Sequence, residues 1–135
     1  MNPIQVRNLE RAKALHPALK RLLAAMDAAG LAYALTTTHR GAADQEAAKA
    51  SGNSHAHFGQ SPHNYLPALA FDAYPLIDGK VDVNDAKALD AQAARIKAIA
   101  AKVNIDIVWG GDWHSIIDRP HFELSNWREL RGKPE

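Results

Sequence analysis

An aspartate interrupts an apolar run, Ala68-Leu69-Ala70-Phe71-Asp72-Ala73. The run reads as a strand from Ala68 to Tyr74 that enters the core. On a strand, Ala70 and Asp72 share one face and Phe71 takes the other. A carboxylate carried inward is costly unless it is paired, hydrogen-bonded or bound to a metal. A chain like this must therefore bring partners to Asp72, unless that residue starts a turn or joins a simple ion pair.

Candidate partners are present. His63 lies across a short loop from Asp72, and His121 stands three residues after Asp118 in Asp118-Arg119-Pro120-His121-Phe122-Glu123. On an extended strand that spacing would send Asp118 and His121 to opposite faces, so both reach one site only if the chain turns at Arg119-Pro120. Two His and one Asp make three of the four positions around a catalytic zinc, with one left for water. The same set also suits iron, although iron oxygenases are usually larger barrels. A further carboxylate beside the water would serve as general base.

The rest of the chain bounds what surrounds such a site. Its 135 residues, 47% hydrophobic and 23% charged, suit one domain spanning residues 1–135. Net charge is +1 with no long like-charge run, so nothing points to nucleic acid as partner. Cysteine is absent, which excludes disulfides, thiolate ligands and a Cys nucleophile. No apolar run approaches the ~20 residues of a membrane span, and Met1 to Arg11 lacks the apolar segment of a secretory signal.

Residues 4–29 carry a helical stripe of Leu9, Ala12, Leu15, Leu19, Leu22 and Met26. Pro17 inside it predicts a break near His16 and two helices. A strand is expected over 31–38, an Ala-rich helix over 42–50 and a long loop over 51–67. After the Asp72 strand, 75–83 reads as a turn with Asp78-Gly79 at its tip. A helix capped at Asn84 or Asp85 runs to about Lys102, with Leu89, Ala93, Ile96, Ile99 and Ala100 inward. Short strands follow over 105–109 and 121–124, and the polar tail from Asn126 is expected to fray unless Trp127 and Leu130 dock it. The order predicts an α+β domain with a small, mainly antiparallel sheet and flanking helices.

Other residues suit a hydrolytic site. Arg40, at the end of the first strand, is placed to meet an oxyanion or a substrate carboxylate. Trp109-Gly110-Gly111-Asp112-Trp113 is a glycine-flanked aromatic loop, and Trp113 is a candidate groove wall, though a core role suits it equally. His55, His57 and His114 have no partner at ligand spacing, and His16 and His39 read as structural.

Taken in order, Arg40, Ser61-x-His63, Ala70-x-Asp72, Trp109-Gly-Gly-Asp-Trp113 and Asp118-x-Pro-His121-Phe-Glu123 resemble the zinc peptidases that cut bacterial cell-wall peptides. That family includes VanY-type D-alanyl-D-alanine carboxypeptidases and phage L-alanyl-D-glutamate endolysins, and its fold is similar to the hedgehog signalling domain. The resemblance covers roughly residues 30–125, with the motifs inside 36–123. It implies His63, Asp72 and His121 as Zn2+ ligands, Asp118 as catalytic carboxylate, and Arg40 as the arginine that steadies substrate or oxyanion. Ser61 matches the family serine two residues before the first ligand, and Trp113 would line the substrate site. The spacing from His63 to Asp72 is longer than in many relatives, and Asn64-Tyr65-Leu66-Pro67 is similar to phage lysis proteins. The implied protein is a monomeric phage or prophage endolysin acting on the peptidoglycan stem peptide, released from the cytoplasm through a holin-like pore. The competing expectations are a bacterial D-alanyl-D-alanine carboxypeptidase and a non-catalytic zinc-binding module.

Overall fold

The computed structural model describes residues 1–135. Helices α1 (Pro3–Ala12) and α2 (Pro17–Ala28) come first, then β1 (Tyr33–Thr37) and α3 (Ala42–Ala50). A 3₁₀ turn at Pro62–Asn64 leads to β2 (Ala70–Ile77) and β3 (Lys80–Val81). Helix α4 (Ala86–Lys102), β4 (Ile107–Trp109), a second 3₁₀ turn at Gly110–Asp112, β5 (His121–Leu124) and α5 (Trp127–Leu130) complete the chain. The main sheet runs β1-β2-β5-β4, every pairing is antiparallel, and β3 pairs with β2. The expected α+β architecture is the one observed.

The sheet sorts its side chains by face. Phe71 and Phe122 are paired across β2 and β5, fully buried and stacked at 5.4 Å. They join Leu19, Leu22, Met26, Leu35, Ile96 and Trp127 in one apolar cluster. Burying each Phe contributes about 1.5–3 kcal/mol. The alternation that sends Phe71 and Phe122 into this core sends their neighbours Asp72 and His121 to the other face.

The break between α1 and α2 does more than accommodate Pro17. The His16 imidazole caps α2, its Nδ1 accepting from Ala18 N at 3.1 Å. The opened backbone then pairs with the loop before β2: Ala68 N donates to Ala14 O at 2.7 Å and His16 N donates to Ala68 O at 2.9 Å. The extra residues between His63 and Asp72 thus dock on the helix junction, with Leu15, Ala68 and Leu69 buried there.

Several local expectations change. Leu9 is 52% exposed. The contact of α1 with the sheet is made instead by Asn8, whose carboxamide donates to Tyr33 O at 2.9 Å and accepts from Leu35 N at 2.8 Å. Arg11 adds a bond to Leu35 O at 2.7 Å. These polar groups pair with an edge strand that has no outer neighbour. The segment from Pro75 is strand up to Ile77, with only Asp78-Gly79 as the turn, because Pro75 and Leu76 keep pairing with Tyr33 and Val81. The tail is ordered: Trp127 is buried while Leu130 stays exposed, and Glu135 N donates to Asn64 O at 2.7 Å.

Replacing Asn8 by Ala should strand two backbone groups of β1 and cost about 1–3 kcal/mol. Urea unfolding should show a lower midpoint with an unchanged slope; an unshifted midpoint would remove Asn8 from the sheet's support.

Candidate metal centre

Asp72 and His121 are directly paired residues of β2 and β5, so their side chains emerge together on the face opposite the core. His63 arrives from the 3₁₀ turn, which Ser61 caps: its Oγ accepts from His63 N at 3.2 Å. One carboxylate oxygen of Asp72 lies 3.2 Å from His63 Nε2 and 3.2 Å from His121 Nδ1. One ligand atom from each of the three residues lies within 4.8 Å of the others.

The outer nitrogen of each ring is already engaged. His63 Nδ1 donates to Thr38 O at 2.8 Å, and His121 Nε2 donates to Glu123 Oε1 at 2.8 Å. These bonds fix ring orientation and leave His63 Nε2 and His121 Nδ1 facing Asp72, the arrangement typical of metal-binding histidines. Two nitrogens and one carboxylate oxygen on a preformed face fit zinc and leave a fourth position open. A bulge in β1, where the register shifts between Leu35 and Thr37, sets Thr37 opposite Asp72.

Asp72 and the imidazoles around it act on one another's charge. Burial alone would raise the Asp72 pKa, but the two imidazoles outweigh it and hold the carboxyl well below its ordinary range. Burial opposes charge on His121 as well, yet its bonds to Asp72 and Glu123 prevail and push its pKa up to about 10.

Asp118 joins the site through a turn closed by His121 N donating to Asp118 O at 3.2 Å, so the chain does reverse at Arg119-Pro120. Asp118 N in turn donates to Gly110 O at 2.9 Å. Position 110 has to be glycine, because a Cβ there would come within 2.3 Å of Asp118 O. Asp118 is half-buried; burial first, and the Asp72 charge second, raise its pKa against the pull of His121, His63 and Arg40.

Arg40 N donates to His63 O at 2.8 Å, and its guanidinium makes no ion pair. Half-buried Trp113 sits 5.1 Å from the His121 ring. A groove of about 1300 Å³ runs over the cluster, lined by Arg40, Ser61, Tyr74, Trp113, Asp118 and Arg119 among others. It exceeds the roughly 300–1,000 Å³ of a small-molecule pocket. Exposed His55 lines the groove, His57 lies 3.5 Å from Glu46, and His114 is exposed; none joins the cluster.

Sequence reading gave Glu123 no role, although period-two spacing from His121 places it on the ligand face. Tyr74 has the same relation to Asp72. Burial first, then the charges of Asp72 and Asp118, raises its pKa and keeps the phenol a donor.

A family model described as D-alanyl-D-alanine carboxypeptidase matches residues 54–124, more than half of the chain. The match includes His63, Asp72, Asp118 and His121 and leaves Arg40 outside. Among solved structures, that of the Serratia marcescens L-Ala D-Glu endopeptidase ChiX is similar at 26% identity and a TM-score of 0.76. The likeness covers 92% of this chain and 90% of that one.

A cation at His121 Nδ1 must displace the proton held there below pH about 10. Zinc affinity should therefore rise about tenfold per pH unit between 6 and 8, with about one proton released. Calorimetry in two buffers of different ionisation enthalpy reads that number, and zero release would contradict the assignment. Glu123→Gln should weaken zinc binding about 10–100-fold in chelator competition.

Proposed function

Because the chain belongs to the D-alanyl-D-alanine carboxypeptidase family, hydrolytic peptidases acting on peptidoglycan, we propose that it is a zinc-dependent endopeptidase for the L-alanyl–D-glutamate bond of the stem peptide. The observation that carries the choice of bond is the likeness to the ChiX endopeptidase along nine-tenths of both chains. The open groove, with room for an extended peptide, supports it.

His63, Asp72 and His121 would hold the ion. When bound, zinc supplies Lewis acidity, which makes water acidic near neutral pH and polarises a carbonyl. Asp118 takes a proton from the attacking water and passes it to the departing amine nitrogen. Its raised pKa suits a carboxylate that must hold that proton between the two events. Arg40 sets positive charge against the carbonyl oxygen as negative charge develops there. Trp113 offers a flat wall to the peptide, and Ser61 shapes the groove edge while holding the His63 turn.

Cleavage of terminal D-Ala-D-Ala is the second reading, favoured by the description of the family model. The Asn64-Tyr65-Leu66-Pro67 stretch, similar to phage lysis proteins, supports a setting in phage or prophage lysis, with a monomer reaching the wall through a holin-like pore.

Mass analysis of digested muropeptides should show new L-Ala ends; released D-Ala instead would favour the carboxypeptidase. Asp118→Asn should lower kcat about 10²–10⁴-fold at an unchanged zinc-to-protein ratio, whereas His63→Ala should lose the metal. An Asp118→Asn enzyme of full activity would refute the assigned base.

A further inference from the structure

Helix α3 is Ala-rich and largely exposed, yet it buries one polar side chain completely, Gln45. An amide that deep must satisfy both of its ends. Gln45 Oε1 accepts from Arg40 Nη1 at 3.2 Å and from Asn64 Nδ2 at 3.0 Å. Gln45 Nε2 donates to Ser54 Oγ at 2.9 Å and to Ala56 O at 2.7 Å. Asn64, also fully buried, repeats the pattern: its Nδ2 also donates to Arg40 O at 3.0 Å, and its Oδ1 accepts from Gly59 N and Ser61 N. One carboxamide thus joins the Arg40 guanidinium, the turn that carries His63, and the 54–56 segment that lines the groove.

The chemistry of the acceptor matters as much as its place. Arg40 has five N–H donors, and Gln45 takes one of them with a neutral oxygen. A carboxylate in the same place would hold the guanidinium too, but would cancel the charge meant for the substrate. We infer that Gln45 is a positioning residue, which aims Arg40 at the scissile carbonyl without neutralising it. The inference rests on the role proposed above for Arg40.

The test is a double-mutant cycle on purified muropeptides with the zinc-loaded enzyme. Gln45→Met keeps shape and removes the bonds; kcat should fall about tenfold or more with KM changed less and zinc content unchanged. Gln45→Glu should match that loss, because its charge pairs with Arg40. In the Arg40→Ala background both substitutions should cost less than threefold. Full, additive losses there would overturn the inference while leaving Arg40's role intact. An Arg40→Ala enzyme as active as the parent would overturn both. Should the Gln45 variants fail to fold, Ser54→Ala loosens the same amide from a half-buried loop position. Its loss of a few-fold in kcat must vanish in the Arg40→Ala background, and persistence there counts against the inference.

Discussion

The structure depends on one shared oxygen. Asp72 places a carboxylate among buried groups, and two imidazoles from distant parts of the chain converge on it. That convergence is set by the β2–β5 register, which makes Asp72 and His121 direct partners. The register is held from the opposite face by the Phe71–Phe122 stack. A slip of one residue would turn the aromatics outward and the ligands inward, so core packing and site assembly are two faces of one pairing.

Around that pairing, polar side chains stand in for backbone. Asn8 pairs with the outer edge of β1 as another strand would. Asn64 and Gln45 bond the groups that irregular loops leave unpaired near His63. The interruption at His16 belongs to the same scheme, since the opened helix junction receives Ala68 and anchors the long connection between the first two ligand positions. A loop of this length keeps its ligand in place because both of its flanks are bonded, His63 to Thr38 and Arg40 on one side and Ala68 to the helix junction on the other.

Much of this was legible in the chain. The Pro17 break, helices α3 and α4, the strand through Asp72 and the turn before His121 follow from local rules of periodicity, capping and backbone restriction. The boundaries that moved did so for tertiary reasons. Pro75 reads as a breaker, but in the sheet its missing N–H is tolerated and β2 continues past it. Leu9 reads as core, yet the face α1 turns to the sheet is polar because the edge of β1 needs hydrogen bonds more than apolar cover. The tail reads as loose, but Trp127 fills the core and the last residues bond to the His63 turn.

The sequence by itself determined which chemistry was available: two histidines and an aspartate for a metal, a second aspartate at turn spacing, an arginine at a strand end, and no thiol. An aspartate inside an apolar run, as at Asp72, is rare enough to call for a partner. Only the tertiary structure decided which nitrogen of each imidazole faces Asp72, because Thr38 and Glu123 claim the other one. It also decided that Asp118 and Arg40 border one groove, with Gln45 buried behind Arg40, since neither arrangement follows from spacing along the chain. Hydrogen-bond satisfaction of buried polar groups is a property of the folded whole, and here it sets the geometry on which the chemistry relies.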